Sequence, residues 1–565
     1  MDTPEFADAV RNAPKGMFKE DEKGIHVGFE DLFRKEARQA GPSELMGMMW
    51  DLGKSDEPLA QAVFWGVLIV VVIPCILGML LVLVGAHRPK RNTVPAIGSW
   101  IPLGVTVWFN RDPLNAIISQ TKKFSKGFCI SMGFTELTIF AGVKGQKEVT
   151  SMPKDSLSYS HGFKTLFENT LVSSRLKSFQ DHFLQAGALT KTSFTDQISE
   201  FLPEIVRTRL EAVKDDETID LFSLSSDISL RLLTRLAIGS KLLDENDDDI
   251  IPLMQATERT LMSSSSLFFR SLSFSANIPK TLFNDLSVIV QEELDLRKDN
   301  SEGEEGEKDD SIPLDIISIL TKATPNLSVQ GIVSHINMFV FSNHSDLACT
   351  IAWTIYHLIK DQSLQKRVMT EFSQSTTLKL SEKDFKSSPA DTAVSSQPLL
   401  TSVIKEVGRL YAPLFLLTGS TKKQPLGKYD VYFCDLIATS PASISMNEKI
   451  YENPYEFDPS RFLDAKKIEV MTLQHKLLQF NNARNAWFDP IIAESIIKTT
   501  IVPMILEMYD FTLIDEKLIP RAAYLSSYGT PFSDLPVLVS VKPRKVVPTH
   551  TPSSGTPVKL REKSK

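Results

Sequence analysis

Apolar positions along the chain fall into three regimes. Residues 61–86, QAVFWGVLIVVVIPCILGMLLVLVGA, carry no charge. At 1.5 Å rise per residue such a run spans a hydrocarbon core of ~30 Å, and it lacks the polar face of a helix packed on a soluble core. Pro74 inside it is compatible with a membrane helix, and the run lies too far from the N-terminus for a cleaved signal peptide. From about 110 to 290, apolar residues recur at three- and four-residue spacing, which predicts a mainly helical body. Residues 329–361 form the third regime, one long and largely apolar helix into which HIN and NHSD insert polar groups. Shorter strand-like runs follow, such as KYDVYF at 428–433.

The polar segments set the boundaries. HRPKR, 87–91, follows the apolar run, while the stretch before it is net acidic, with Asp51, Asp56 and Glu57 against Lys54. The positive-inside rule then places the main body in the cytosol and residues 1–60 across the membrane as a lumenal, partly helical extension. Residues 87–109 read as a basic, proline-rich hinge. RKDNSEGEEGEKDDS, 297–311, is acidic and reads as a surface loop, as does part of 372–394. Residues 546–565 read as a disordered tail. No internal repeat is visible. The sequons NLS, 326–328, and NHS, 343–345, fall on the cytosolic side and are expected to carry no glycan.

Composition changes this picture little. The 565 residues are 42% hydrophobic and 23% charged, as in an ordinary globular protein. A net charge of -7 gives no reason to expect nucleic-acid binding. The four cysteines, Cys75, Cys129, Cys349 and Cys434, are widely separated and form no C-x-x-C pair, so neither a disulfide framework nor a zinc site is indicated.

Two motifs carry more information. In SVIKEVGRLYAPL, 402–414, Glu406 and Arg409 are three apart and share a helix face. ENPYEFDPSRFLD, 452–464, reads as an extended, packed segment that presents Arg461. K-E-x-x-R-L followed by N-P-x-x-F-x-P-x-R-F resembles the cytochrome P-450 superfamily, the haem-thiolate monooxygenases, over about residues 90–545. The resemblance implies a mainly α fold with a small β lobe behind one N-terminal transmembrane helix, with residues 110–545 as the P-450-like domain. It also implies that Glu406, Arg409 and Arg461 form a buried structural cluster. The segments at 520–544 and 440–454 look most like the branch that includes sterol hydroxylases and prostacyclin synthase, which implies a bulky lipophilic substrate.

The same resemblance exposes departures. The family's cofactor loop, F-x-x-G-x-R-x-C-x-G, is filled by FNNARNAWFD at 480–489. Phe480 matches, whereas Ala483, Asn485, Trp487 and Asp489 replace a glycine, the basic propionate partner, the cysteine and the second glycine. Indole has no usable lone pair for iron, so Trp487 reads as a core filler in a degenerate haem loop. In the long helix the family's [AG]-G-x-[DE]-T-[TS] is filled by SNHSDL, 342–347, with Asn343, Ser345 and Asp346 at the glycine, acid and threonine positions.

These substitutions lead to the expectation of no cofactor and no metal. Phe339, Ser342, Asn343, Asp346 and Thr350 follow helical steps and share a face or its edge, which the family turns toward its substrate pocket. A carboxyl group in an apolar pocket stays protonated to higher pH. Asp346 is therefore the candidate general acid, with Ser342 to orient it and His344 as a relay. The resemblance also implies that Tyr159 and His161, in YSHGFKTLF, cap the pocket. The expected activity is haem-independent cyclisation, isomerisation or dehydration of a terpenoid-, sterol- or polyketide-like intermediate in secondary-metabolite biosynthesis. The alternative for Asp346 is a structural polar residue in a filled cavity. Two other readings stand beside the first: a non-catalytic lipid-binding or scaffold protein, and an atypical haem protein with His475 or Cys434 as substitute ligand. Expected partners are a lipophilic small molecule, the endoplasmic reticulum membrane and other biosynthetic enzymes, and no nucleic acid.

Overall fold

The structure is a computed structural model that describes residues 18–21, 24–27, 94–97, 109, 111–124, 127–132, 135–153, 155–167, 171–173, 191–213, 217–263, 277–302, 315–374, 397–478, 490–524 and 529–544. The chain divides into two units, residues 1–88 and 89–565. In the first, β1 (Phe18–Asp21) and β2 (Gly24–Val27) form an antiparallel hairpin where a partly helical extension was expected. The expected anchor at 61–86, most of the hinge and the tail lie outside the described residues. Among the described residues no helix is long and apolar enough to cross a membrane.

The second unit opens with β3 (Ala96–Ile97) and α1 (Pro113–Lys123), whose first turn is capped by Asp112 Oδ1 accepting from the Asn115 N–H at 3.1 Å. Strands β4 (Phe128–Met132) and β5 (Thr135–Ala141) then interrupt the stretch expected to be helical. Two-residue alternation decides them. Leu137, Ile139 and Ala141 join one core cluster while Phe140 joins another on the opposite face. Helix α2 (Gly142–Thr150), β6 (Leu157–Ser158) and α3 (Tyr159–Phe167) follow.

A helical body comes next: α4 (Lys191–Glu211), then β7 (Thr218–Asp220), α5 (Leu221–Ile238), α6 (Ser240–Ser263) and α7 (Asn277–Glu302). The first residues of the acidic run at 297 are thus helical rather than loop. Arg297 anchors them, donating from Nε to Glu293 at 2.6 Å and from Nη2 to Asp315 at 2.7 Å. Residues 303–311 lie outside the described residues. Next are α8 (Ile316–Ala323), α9 (Val329–Lys360), α10 (Gln362–Gln374) and α11 (Pro398–Leu410).

Helix α9 is the long apolar helix of the sequence, capped by Ser328 Oγ, which accepts from the Gly331 N–H at 3.2 Å. It is buried nearly all round, and some of its inserted polar atoms find partners while Asn337 Oδ1 finds none among the described residues. Asn337 Nδ2 donates to the Leu171 carbonyl at 3.1 Å, and His335 Nδ1 lies 2.7 Å from the Gly331 carbonyl.

The remaining elements are β8 (Leu416–Ser420), β9 (Gln424–Leu426), β10 (Tyr429–Val431), β11 (Leu436–Ser440), α12 (Pro441–Ser445) and α13 (Ala465–Leu473). Helix α14 (Pro490–Ile496) runs through a π-turn at Ile497–Ile501 into α15 (Val502–Met508). Strands β12 (Tyr509–Leu513), β13 (Ala522–Ala523), β14 (Phe532–Ser533) and β15 (Leu538–Pro543) close the chain. The largest sheet has the order β3-β4-β5-β11-β8-β6, with β5 and β11 parallel and Leu137 opposite Leu436. The fold is mainly helical with a small sheet part.

Helix α11 ends in a buried ionic cluster. Arg409 grips Glu406 with two hydrogen bonds, 2.8 Å from Nε and 2.7 Å from Nη2, and both side chains are fully buried. Arg461 Nε lies 3.3 Å from the same carboxylate, and the Asp458 N–H donates to it at 2.9 Å. Arg409 also donates to the carbonyls of Pro454 at 2.7 Å and Glu456 at 3.1 Å. It thereby ties α11 to the irregular segment after it.

Candidate active site

The site is built where α3, α9 and the start of β8 meet. Helix α3 can lie against β8 because glycine faces glycine. A Cβ on Gly162 would stand 2.8 Å from the Gly419 nitrogen, and one on Gly419 would stand 2.6 Å from the Gly162 nitrogen. That close seat turns Tyr159, Phe163 and Phe167 toward α9. Helix α9 answers with Phe341, Ser342, Ser345 and Asp346, while Phe415, Leu417 and Thr530 close the third side. The cavity holds about 530 Å³ of empty space. A second, smaller chamber of about 330 Å³ adjoins it, lined by Cys349, Thr350, Trp353, Tyr411, Pro413 and Pro531. Asp346 lines both chambers.

Asp346 is only half-buried by area, and the surface it shows faces these chambers. No described residue hydrogen-bonds to its carboxyl or forms an ion pair with it. Burial without a partner pushes its pKa up to about 6 from an ordinary 3.8. Ser342 shares the cavity wall but does not orient Asp346. Its hydroxyl donates to the Phe339 carbonyl at 3.5 Å and accepts from Asn343 Nδ2 at 3.3 Å. Burial raises the Tyr159 phenol, with the Ser342 bond opposing that shift, so it stays protonated.

Other candidates fall elsewhere. His344 points to the back of α9, where Nε2 lies 2.6 Å from Glu258 and Nδ1 lies 3.3 Å from Ser229, so it relays nothing to the cavity. Phe339 and Asn343 are on neither chamber wall; Asn343 Nδ2 donates to the Phe339 carbonyl at 2.6 Å instead. Thr350 lines the smaller chamber and donates to the Asp346 carbonyl at 2.8 Å. His161 is two residues from Tyr159, hence on the opposite helix face, against Phe433 and Cys434. Sequence reasoning missed Phe163 and Phe167, although they follow Tyr159 at intervals of four in the quoted motif. It also missed Trp353 and Tyr411, for which no motif gave a signal.

A long buried helix over an aromatic cavity, a small mixed sheet, and a Glu–Arg–Arg cluster behind it are the marks of a haem-thiolate oxygenase fold. Residues 93–480 match the family described as cytochrome P450, and the chain belongs to that family. It is 22% identical over 471 residues to human 24-hydroxycholesterol 7-alpha-hydroxylase, covering 81% of this chain and 95% of that protein. It is 18% identical over 398 residues to cytochrome P450 monooxygenase pynD of Aspergillus niger, covering 68% and 77% of the two chains. Cytochrome P450 monooxygenase pyvB of Aspergillus violaceofuscus is 20% identical over 431 residues, 74% of this chain and 81% of that protein.

This membership overturns the expectation of a protein without a cofactor. The family match and these relatives indicate haem, and no positive observation supports a cofactor-free state. The match ends at Phe480, so it does not carry the alignment of Ala483, Asn485, Trp487 and Asp489 with the family's ligand loop, and all five residues lie outside the described residues. Trp353, Tyr411, Pro413 and Pro531 give the smaller chamber planar, apolar faces. The smaller chamber also carries Asp346 and Thr350, and among the described residues its lining holds no basic side chain to pair with haem propionates. Cys434 is exposed in the turn before β11 and lines neither chamber. Cys349 lines the smaller chamber, but burial and the charges of Asp346 and Glu258 push its thiol well above the ordinary range, against thiolate formation. His475 is in a turn with φ 55° and also lines neither chamber.

Proposed function

We propose that this cytochrome P450 family member is an enzyme acting on a bulky lipophilic biosynthetic intermediate, with Asp346 as general acid in the cavity. The observation that carries the reading is the unpartnered carboxyl of Asp346 on an otherwise aromatic wall. A sterol hydroxylase among the relatives supports a polycyclic, sterol-sized substrate. Phe163, Phe167, Phe341 and Phe415 bind such a body by excluding water. Tyr159 and Ser342, both on the cavity wall, hold its polar group and fix its orientation. Asp346, protonated below about pH 6 and further desolvated when the substrate fills the cavity, hands its proton to an alkene, epoxide or hydroxyl oxygen. Cyclisation, isomerisation or dehydration follows from that protonation. Haem, when bound, would supply one-electron redox chemistry.

The apolar run at 61–86 supports anchoring in the endoplasmic reticulum membrane with the main body cytosolic, a placement that delivers lipophilic substrates and neighbouring biosynthetic enzymes. The test compares lipid extracts of cells expressing the full chain and Asp346→Asn at equal haem content. Loss of a product in the variant is expected. An identical product at an identical rate would remove Asp346 from the chemistry.

A further inference from the structure

We propose that the rings of Tyr159, Phe163 and Phe167 form a cation-stabilising track beside Asp346, and that the substrate is a polyene epoxide of isoprenoid type that cyclises along it. The proposal rests on Asp346 as general acid. The three rings follow one another at intervals of four along α3, and all line the larger cavity. Ring centroids lie 6.3 Å apart from Tyr159 to Phe163 and 4.5 Å apart from Phe163 to Phe167, with planes tilted by 40° and 41°. Burial raises the pKa of the Tyr159 phenol, and the Asp346 charge adds to the rise, which sets this rung beside the acid.

Packing accounts for neighbouring aromatic side chains inside a filled core. These rings instead wall an empty cavity, together with Phe341 and Phe415. Leucine excludes water from a neutral lipid as a ring does, so a wall of five rings and three leucines points to a ligand that uses π-electrons. Among the described residues, neither chamber is lined by a lysine, arginine or histidine. Once Asp346 has given up its proton, its carboxylate therefore meets no basic partner on the walls. The counter-charge has to sit on the ligand, and a carbocation generated at the acid supplies it. The electron-rich ring faces are the groups on this wall that attract such a cation without binding it covalently.

Asp346 transfers its proton to the epoxide oxygen, and the C–O bond to the more substituted carbon breaks. An alcohol, a tertiary carbocation and the Asp346 carboxylate result. The π-electrons of the next alkene form a C–C bond to that carbon, which moves the positive charge to the far carbon of the alkene. After the last ring closes, a neighbouring carbon gives its proton to water and a C=C bond forms. The hydrated proton restores the Asp346 carboxyl. The product is an isomer of the substrate, and nothing is oxidised or reduced.

Binding tests the track without turnover. The probes are geranyltrimethylammonium, whose fixed charge leaves no lone pair for a metal, and its neutral analogue with a tert-butyl group in place of trimethylammonium. Equilibrium dialysis against the full chain in detergent gives the ratio of their affinities, and uptake into micelles cancels when variants are compared. Asp346→Asn is the background, so that attraction to the carboxylate drops out. There the charged probe is expected to bind about tenfold tighter than the neutral one. Replacing Phe163, the middle rung, by trifluorophenylalanine nearly keeps the ring's shape but withdraws electrons from its face. This is expected to cut the ratio about fivefold, as is Phe163→Leu. A ratio unchanged by fluorination would overturn the track. It would leave the acid role of Asp346 standing, because the product comparison with Asp346→Asn tests that role separately. Wild type given the terminal epoxide of farnesyl acetate is expected to release a cyclic isomer of unchanged mass. Absence of any such isomer would overturn the polyene epoxide as substrate class.

Discussion

Asp346→Asn separates an unpartnered acid from a satisfied structural one through stability alone. Asn has nearly the same shape and cannot ionise. The carboxyl has a pKa of about 6 in the folded chain against an ordinary 3.8. Because the folded value is the higher one, the folded state binds more protons than the unfolded state between those values, and stability falls as pH rises through that window. At 1.36 kcal/mol per pKa unit, the full difference corresponds to a ceiling of about 3 kcal/mol. Water admitted to the chambers lowers it, so a gain of roughly 1–3 kcal/mol for Asp346→Asn at pH 8 is expected. At pH 4 both proteins carry a neutral group at this position and the gain should vanish. Urea unfolding of the full chain in detergent, monitored by tryptophan fluorescence at both pH values, reads this directly. A variant less stable than wild type at pH 8 would refute the reasoning, since it would reveal a partner for the carboxylate. A gain that persists unchanged at pH 4 would refute it too.

Further outcomes are expected elsewhere. Glu406→Gln strands the fully buried Arg409 and should cost about 3–5 kcal/mol in the same unfolding assay, or abolish soluble expression. Gly162→Ala brings a Cβ within 2.8 Å of β8 backbone and should cost about 1–3 kcal/mol. It should also weaken binding of a fluorescent sterol, because Tyr159 and Phe163 move with α3. Glu258 is buried, which alone would raise its pKa, but the His344 charge and the hydrogen bonds from His344 and Ser226 outweigh this and hold it below the usual range. That contribution is present above the unfolded value of about 4.5 and is lost as pH falls. Glu258→Gln should therefore destabilise by about 1–3 kcal/mol at pH 7, with the difference shrinking in acid urea titrations. Protein purified after haem supplementation should show a Soret band, and its absence would count against haem as the cofactor.

The parts of the fold that were legible in the sequence are those where one physical demand dominates. Helix α9 had to be helical and buried because its apolar residues leave no polar face. Glu406 and Arg409 could be paired from their three-residue spacing on one helix, whereas Arg461 joined them only through the family resemblance. Strands β4 and β5 were missed because Phe128–Met132 and Thr135–Ala141 are short and flanked by helical patterns, so their two-residue alternation runs over too few positions to stand out. Helical stepping placed Asp346 and Ser342 together, the family resemblance added Tyr159, and the cavity wall holds all three. It could not exclude Asn343, which lies at the edge of the same face and turns its amide back to its own helix. Nor could it find Tyr411, which reaches the site from α11 through tertiary packing alone. The haem expectation failed because it rested on four loop positions, 483, 485, 487 and 489, and set aside the kinship of the rest of the chain.

Asp346 stands as a bulkhead with one compartment on either side. A ligand filling the larger chamber strips water from the carboxyl and favours its neutral form. The occupant of the smaller chamber then meets a neutral wall instead of an anionic one. Binding on the two sides is therefore thermodynamically linked, and the factor by which a lipid alters the affinity of the second occupant must equal the factor by which that occupant alters the affinity of the lipid.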